Sequence, residues 1–391
     1  MKRLVLLFFV ATVGLLLAGC FWEKDNPSNG SGPLIVKIAQ VSPLTGGIAH
    51  LGKDCENGVA LAVHELNKQN RTLHGRRLKF ELLSLNDMDD PRRATEAAQR
   101  VVDSGAIAVV GHLNSGSTLP ASPIYAHHNI TELTVSSNIR YTKQGFRTAF
   151  RIMAADHQQG RAISLFAVNK LHLKRIVVID DQTAYGRGLA DIFIQVAKKN
   201  SVESPILTRE YVDSYTNDFG ALLAKIRLLN PDAIFFGGKD SQSVPLLRQI
   251  RQLGMKFPVV TGDMSCMESF IDQISKVAAP FYCSTNGRDT SRMPGYKQFY
   301  KNFKEFFGSE PLLYSPYTYD AAMLVADAVR DLQTLDSAKI AEYLHDKKKG
   351  KAYRGVTGDI SFDDEGDRKG VGVSVYTARG GKLSLKDVIF S

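Results

Sequence analysis

The chain has 391 residues, with 49 basic and 40 acidic side chains for a formal charge of +9 and an apolar content of 44%. That length exceeds what one hydrophobic core usually supports, so two domains are expected. A charge excess this small on so long a chain serves solubility and argues against a nucleic-acid partner; the one basic cluster, Lys347, Lys348, Lys349 and Lys351, reads as a solvated helix end.

In chain order, Lys2 and Arg3 precede an apolar and small-residue run over 4–18 that closes in Leu17-Ala18-Gly19-Cys20. A basic head, a short apolar segment and small residues before a cysteine read as a secretory signal over 1–19, not a membrane span. The cysteine after Leu-Ala-Gly resembles a bacterial lipobox. That resemblance implies cleavage before Cys20, acylation of Cys20, and a chain held at the membrane by an N-terminal lipid in the cell envelope. Residues 20–33 are small and polar and read as the tether. The mature chain would have 372 residues, with Cys55, Cys266 and Cys283 as its other cysteines. Cys55 reads as a buried free thiol. Cys266 and Cys283, 17 apart, are either bridged in an oxidising compartment or left as two thiols.

From residue 34 the pattern alternates. Strands are predicted over 34–41, 78–85, 107–110 and 131–135, separated by helices over 54–67, 91–102 and 118–127. The alternation resumes with helix 158–169, strand 175–180, helix 188–198, strand 204–211, helix 219–229, strand 233–236, helix 243–253 and strand 258–261. Helices over 295–307, 317–332 and 337–346 follow, then strands over 359–362, 372–377 and 382–389. Continuous apolar strands between helices predict α/β architecture with parallel sheets covered on both faces. The strand count exceeds one sheet, which places a division near 151–156.

In such sheets ligands bind beyond the carboxyl ends of strands. The sharpest strand end runs Gly111-His112-Leu113-Asn114-Ser115-Gly116-Ser117-Thr118, where hydroxyls and free backbone N–H groups open a helix and favour an anion. A second, Val135-Ser136-Ser137, carries paired hydroxyls. Two such turns suit a carboxylate, although serine also caps helices without any ligand. In the second half, Tyr185 follows a strand and is placed to cover a ligand, and Asp263 sets a carboxylate at another strand end. Asp263 suits an ammonium group; a lone aspartate after a strand is also a common turn former. Gly186-Arg187-Gly188 lacks a third glycine and is no dinucleotide fingerprint.

These residues carry a resemblance. Pro43-Leu44-Thr45-Gly46, Asp87, Asp89-Asp90-Pro91, Val109 to His112 through Ser117-Thr118, Pro120-Ala121-Ser122, Ala184-Tyr185-Gly186, Phe236-Gly237-Gly238, Tyr319-Asp320-Ala321, Phe362-Asp363 and Glu365-Gly366 occur in the order found in type I periplasmic binding proteins of the branched-chain amino acid ABC-transporter class. The resemblance implies two doubly wound lobes joined by three crossovers, with lobe 1 over 34–154 plus 285–367 and lobe 2 over 157–283 plus 371–391. It implies that Ser115 and Ser137, with backbone near Val135 and Ser136, hold an amino-acid carboxylate, and that Asn114 also binds the ligand. Tyr185 is implied as lid, Asp263 as the partner of the ammonium, and Asp156 as a hinge residue near the ligand. The chain departs from its relatives at Leu51 and Lys239, positions that are often aromatic. Lys239 either lines the cleft, suiting a ligand with an acidic or carbonyl side chain, or faces solvent or pairs with Asp240.

The expected function is therefore capture of an amino acid or related zwitterion and delivery to an ABC permease, by a monomer without cofactor or metal. The alternatives are a ligand-sensing subunit for a signalling partner and an envelope enzyme. For the last there is no G-x-S-x-G, H-E-x-x-H or G-x-x-x-x-G-K-[ST] pattern.

Overall fold

The computed structural model describes residues 32–274, 280–345, 352–379 and 381–390. The signal segment, Cys20 with its expected lipid, most of the tether and the lysine cluster lie outside these residues.

The first elements are β1 (Leu34–Ser42), α1 (Ala49–Lys68), β2 (Thr72–Leu73), β3 (Arg76–Asn86), α2 (Pro91–Asp103), β4 (Ala108–Gly111), α3 (Ser115–His127), β5 (Thr131–Thr134) and β6 (Ala149–Arg151). They build a sheet of order β2-β3-β1-β4-β5-β6, parallel except for the β2–β3 hairpin. The chain continues through α4 (Asp156–Leu165), β7 (Ile176–Asp180), α5 (Ala184–Lys199), β8 (Ile206–Tyr211), α6 (Gly220–Leu228), β9 (Ala233–Gly237), α7 (Asp240–Gln252), β10 (Val259–Thr261), α8 (Glu268–Ile274) and β11 (Phe281–Thr285). Then α9 (Tyr296–Phe307), α10 (Ser315–Leu332) and α11 (Ser337–His345) return to the first lobe, where α10 packs along α1. A small hairpin, β12 (Tyr353–Gly355) with β13 (Gly358–Ile360), precedes β14 (Gly372–Arg379) and β15 (Lys382–Phe390). The second sheet has the order β15-β14-β11-β10-β9-β7-β8, and its last two strands are antiparallel.

Apolar runs without alternation became strands covered on both faces: β4, β7, β9 and β10 are buried along their whole lengths. Their side chains meet helices above and below, as where Phe193 of α5 stacks on Phe235 of β9 with centroids 4.0 Å apart. Four strands escaped prediction, the short β2 and β12 and, in the two main sheets, β6 and β11. β6 ends in a fully buried arginine and β11 ends in Ser284 and Thr285, so neither reads as an apolar run. Helices α1, α5 and α7 also begin earlier than their periodicity suggests, because glycine or polar residues interrupt the apolar spacing in their first turns.

The chain crosses between the sheets after β6, after β11 and before β14, and the crossings are tied together. Ala154 N donates to Asn286 O at 2.9 Å, Ser374 N to Gly287 O at 3.1 Å, and Arg151 pairs with Asp367 in an isolated parallel bridge.

Cys266 and Cys283 form a disulfide that joins the turn after β10 to β11. Cys55 is a buried free thiol, pushed well up from its usual pKa by burial. A bond closing a loop over a separation of 17 residues restricts the unfolded chain by about 3 kcal/mol. Replacing both Cys266 and Cys283 with alanine is therefore expected to lower unfolding stability by about that amount. Urea denaturation measures it, and an unchanged midpoint would show that the bond contributes nothing.

Candidate functional site

The carboxyl ends of the parallel strands of both sheets converge on one small cavity. From the first lobe come Leu113, Asn114 and Ser115 after β4, Val135 and Ser137 after β5, and Tyr314 just before α10. From the second come Tyr185 on α5 and Asp263 and Met264 in the turn after β10. The space between them is about 10 Å³, near the volume that one water requires.

The first turn is built from behind. Gly111 has φ +146°, and a Cβ there would lie 2.3 Å from Val41 O, so only glycine fits against β1. The next residue, His112, is fully buried; its Nδ1 donates to Asp87 Oδ2 at 2.7 Å, and its Nε2 lies 3.0 Å from the Tyr125 hydroxyl. Thr134 Oγ1 donates to His112 O at 2.7 Å, which locks the β4 and β5 turns to each other. Asn114 takes the N-cap position of α3 in extended conformation, yet its side chain makes no cap bond. Ser115 Oγ accepts from Ser136 Oγ at 3.1 Å and from Asn138 N at 3.3 Å.

Arg151 sets the second turn. Its guanidinium, fully buried, donates to Ser136 O at 2.7 Å, to Asn138 O at 3.1 Å and, through Nε, to Asp367 Oδ1 at 2.7 Å. The ring of Tyr141 lies under it at 5.6 Å.

Across the cavity Asp263 is 3% exposed. Its Oδ1 accepts from Tyr185 OH at 2.8 Å and Gln159 Nε2 at 3.1 Å, and its Oδ2 from Tyr314 OH at 2.7 Å. Burial pushes its pKa up, and the three donors pull it back. Tyr185 is aimed by close backbone packing: a Cβ on Gly186 would lie 2.4 Å from Gly237 O, so α5 seats directly on the end of β9. Tyr314 is placed by Asp54 of α1, whose carboxylate accepts from Leu312 N, Tyr314 N and Ser315 N at 2.8–2.9 Å.

Of the residues singled out from sequence, Asn114, Ser115, Val135, Ser137, Tyr185 and Asp263 line this cavity. Ser136 does not; it stands behind Ser115, with its carbonyl turned to Arg151. Lys239 is not in the lining either, and the pairing with Asp240 is replaced by another. Lys239 Nζ contacts the Asp89 carboxylate of the first lobe, and Asp240 instead accepts from His50 Nε2 at 2.7 Å. The reason is geometric: both side chains open α7 and face the first lobe across the cleft, where Asp89 and His50 stand opposite. A further interlobe contact runs from Asn138 Nδ2 to Ala184 O at 2.6 Å.

Asp156 sits at the first crossover, 1% exposed, and neither carboxylate oxygen has a hydrogen-bond partner among the described residues. Burial pushes its pKa up to about 7. It faces a wider opening of about 380 Å³ that lies beyond the Asn138–Ala184 contact and is rimmed by Arg140, Arg187 and Asp191.

Sequence reasoning missed Tyr314, Gln159, Met264, Asp89 as a partner, and Arg151. Tyr314 and Gln159 belong to helix starts rather than strand ends, and Arg151 occupies a strand too short to register.

The sequence profile described as periplasmic binding protein matches residues 35–382. A Leu/Ile/Val-binding protein homolog 1 of Brucella suis is 30% identical over 336 residues, covering 85% of this chain and 88% of the relative. An amino acid binding protein of Pseudomonas aeruginosa is 32% identical over 348 residues, covering 87% and 89%. The crystal structure of a leucine binding protein, LivK, from Thermotoga maritima superposes with a TM-score of 0.81 at 29% identity, covering 90% of this chain and 98% of that one. LivJ of Streptococcus pneumoniae, a branched-chain amino acid transporter substrate binding protein crystallised with isoleucine, gives 0.80 at 25% identity, covering 92% and 99%.

The buried guanidinium of Arg151 supports a stability prediction. Arg151→Met removes the donor from two carbonyls and takes the cation from Asp367, which among the described residues keeps only Thr142 Oγ1 at 3.2 Å, an arrangement expected to cost about 3–5 kcal/mol. A loss below 1 kcal/mol in urea denaturation would show that the turn holds without it.

Proposed function

The chain belongs to the periplasmic binding protein family, and we propose that it captures an amino acid between its lobes and delivers it to the permease of an ABC transporter. The observation that carries this reading is the meeting of Ser115 and Ser137 from one sheet with Asp263 from the other around a single cavity.

A zwitterion fits that pairing. Hydroxyls of Ser115 and Ser137 and the N–H groups that open α3 receive the carboxylate, because unpaired helix N-terminal donors favour negative charge. Asp263 receives the ammonium, with Tyr185 and Tyr314 covering it from opposite lobes. Val135 contributes backbone, and Asp156, its pKa raised by burial to about 7, stands beside the first crossing. Removing water strengthens each charge-assisted bond, while a ligand missing either charge would leave a buried polar group unpaired. Selection for a dipolar molecule follows from that asymmetry.

Lobe closure is the working motion, with lobe 1 spanning 34–154 plus 285–367 and lobe 2 spanning 157–283 plus 371–391, hinged at the three crossings. Binding rather than catalysis is favoured by the surroundings of Ser115: its hydroxyl neighbours are Ser136 Oγ and Asn138 N, and neither is a base able to activate a nucleophile. Family membership places the protein in the periplasm. We further propose that it works there as a monomer held to the membrane by lipid on Cys20, on the strength of Leu17-Ala18-Gly19-Cys20.

Asp263→Asn removes the charge, keeps one acceptor oxygen and sets an amide nitrogen in place of the other, to which a tyrosine hydroxyl can turn as acceptor. Loss of charge-assisted bonds of about 1.5–3 kcal/mol predicts amino-acid binding weaker by roughly 10- to 150-fold in calorimetry. Undiminished affinity would take Asp263 out of the site. For the anchor, intact-mass measurement of the chain extracted from bacterial membranes should show a diacyl or triacyl addition at Cys20; an unmodified leader or a free thiol there would contradict it.

A further inference from the structure

We propose that the side chain of the captured amino acid is neutral and ends in a hydrogen-bond donor, a hydroxyl or a carboxamide, received by Asn114 Oδ1. This rests on the amino-acid reading given above.

Asn114 lines the cavity and is 7% exposed. Its Nδ2 contacts Asp89 Oδ1, and a carboxylate oxygen accepts from the amide nitrogen, so the orientation of the amide is set. The remaining atom, Oδ1, is buried and has no partner among the described residues. A buried acceptor in a ligand cavity needs a donor. It cannot serve the ligand carboxylate, because both would be acceptors. The ammonium has Asp263. The side chain is the ligand group left to pair with it.

The charge of that side chain is restricted by the same cluster. Asp89 Oδ2 contacts Lys239 Nζ, with the two side chains only 18% and 9% exposed. Lys239 is already neutralised, so an anionic side chain would bring an uncompensated negative charge into a space that also holds Asp263. A cationic side chain would meet the ammonium of Lys239. Neither is compatible with a buried, balanced pair. An aliphatic side chain fits the apolar walls of Leu113 and Met264 but strips water from Asn114 Oδ1 without replacing it. A lost donor to a buried acceptor lowers affinity by on the order of tenfold or more.

Calorimetry of the full chain in detergent, against alanine, leucine, valine, serine, threonine, asparagine, glutamine and glutamate, tests this. The best of serine, threonine, asparagine and glutamine should bind at least about tenfold more tightly than leucine, valine or glutamate. Asn114→Leu should erase that preference, weakening the best of serine, threonine, asparagine and glutamine by at least about fivefold more than it weakens alanine, with Asn114→Ala as a second variant should the first fail to fold. Leucine, valine or glutamate binding as tightly as the best donor in the unaltered protein would overturn the proposal without disturbing amino-acid capture. Equal loss of alanine and threonine affinity in the variant would overturn it too, by placing Asn114 at the ammonium. No binding by any amino acid would overturn both readings.

Discussion

The buried guanidinium of Arg151 joins the three parts that the site requires. It stands at the end of β6, where the chain leaves the first lobe, and holds two carbonyls of the turn after β5. Its Nε reaches Asp367, on the segment by which the chain later leaves that lobe a last time. A buried arginine is stable only when its donors are satisfied, and here the satisfying groups are the turn after β5 and the segment that carries Asp367. The position of that turn and the paths of two of the crossings are thereby coupled.

A second constraint acts across the cleft. Lys239 with Asp89, His50 with Asp240, Asn138 with Ala184 and Tyr314 with Asp263 all join residues of different lobes. Each group is half-buried or more in the closed arrangement, and each would be hydrated with the lobes apart. Their net contribution is small, because desolvation offsets much of the attraction. They therefore align the lobes more than they hold them shut, which leaves a ligand able to decide the equilibrium.

Much of this was legible beforehand, for identifiable reasons. Buried parallel strands must be apolar on both faces, so β4, β7 and β9 announced themselves, and their ends marked where Ser115, Ser137, Tyr185 and Asp263 would be found. The same logic was blind to groups placed by other means. Tyr314 owes its position to Asp54, 260 residues earlier in the chain, through hydrogen bonds that no local pattern signals. Arg151 in β6 violates the apolar rule because its partners come from three separate segments. Lys239 and Asp240 were visible as charges next to each other, but adjacent side chains at a helix start diverge, and their partners belong to the other lobe.

The order of strands has a consequence for how the protein comes into being. The second lobe's sheet is begun by β7, yet β11, already paired with β10, acquires its second neighbour only with β14, after about a fifth of the chain has been spent on the first lobe. A nascent or truncated polypeptide ending before β14 would present β11 as an unpaired margin, the kind of surface that recruits other chains. Covering that margin until β14 has been made is thus a requirement imposed by topology, and it falls on whatever meets the chain while it is incomplete.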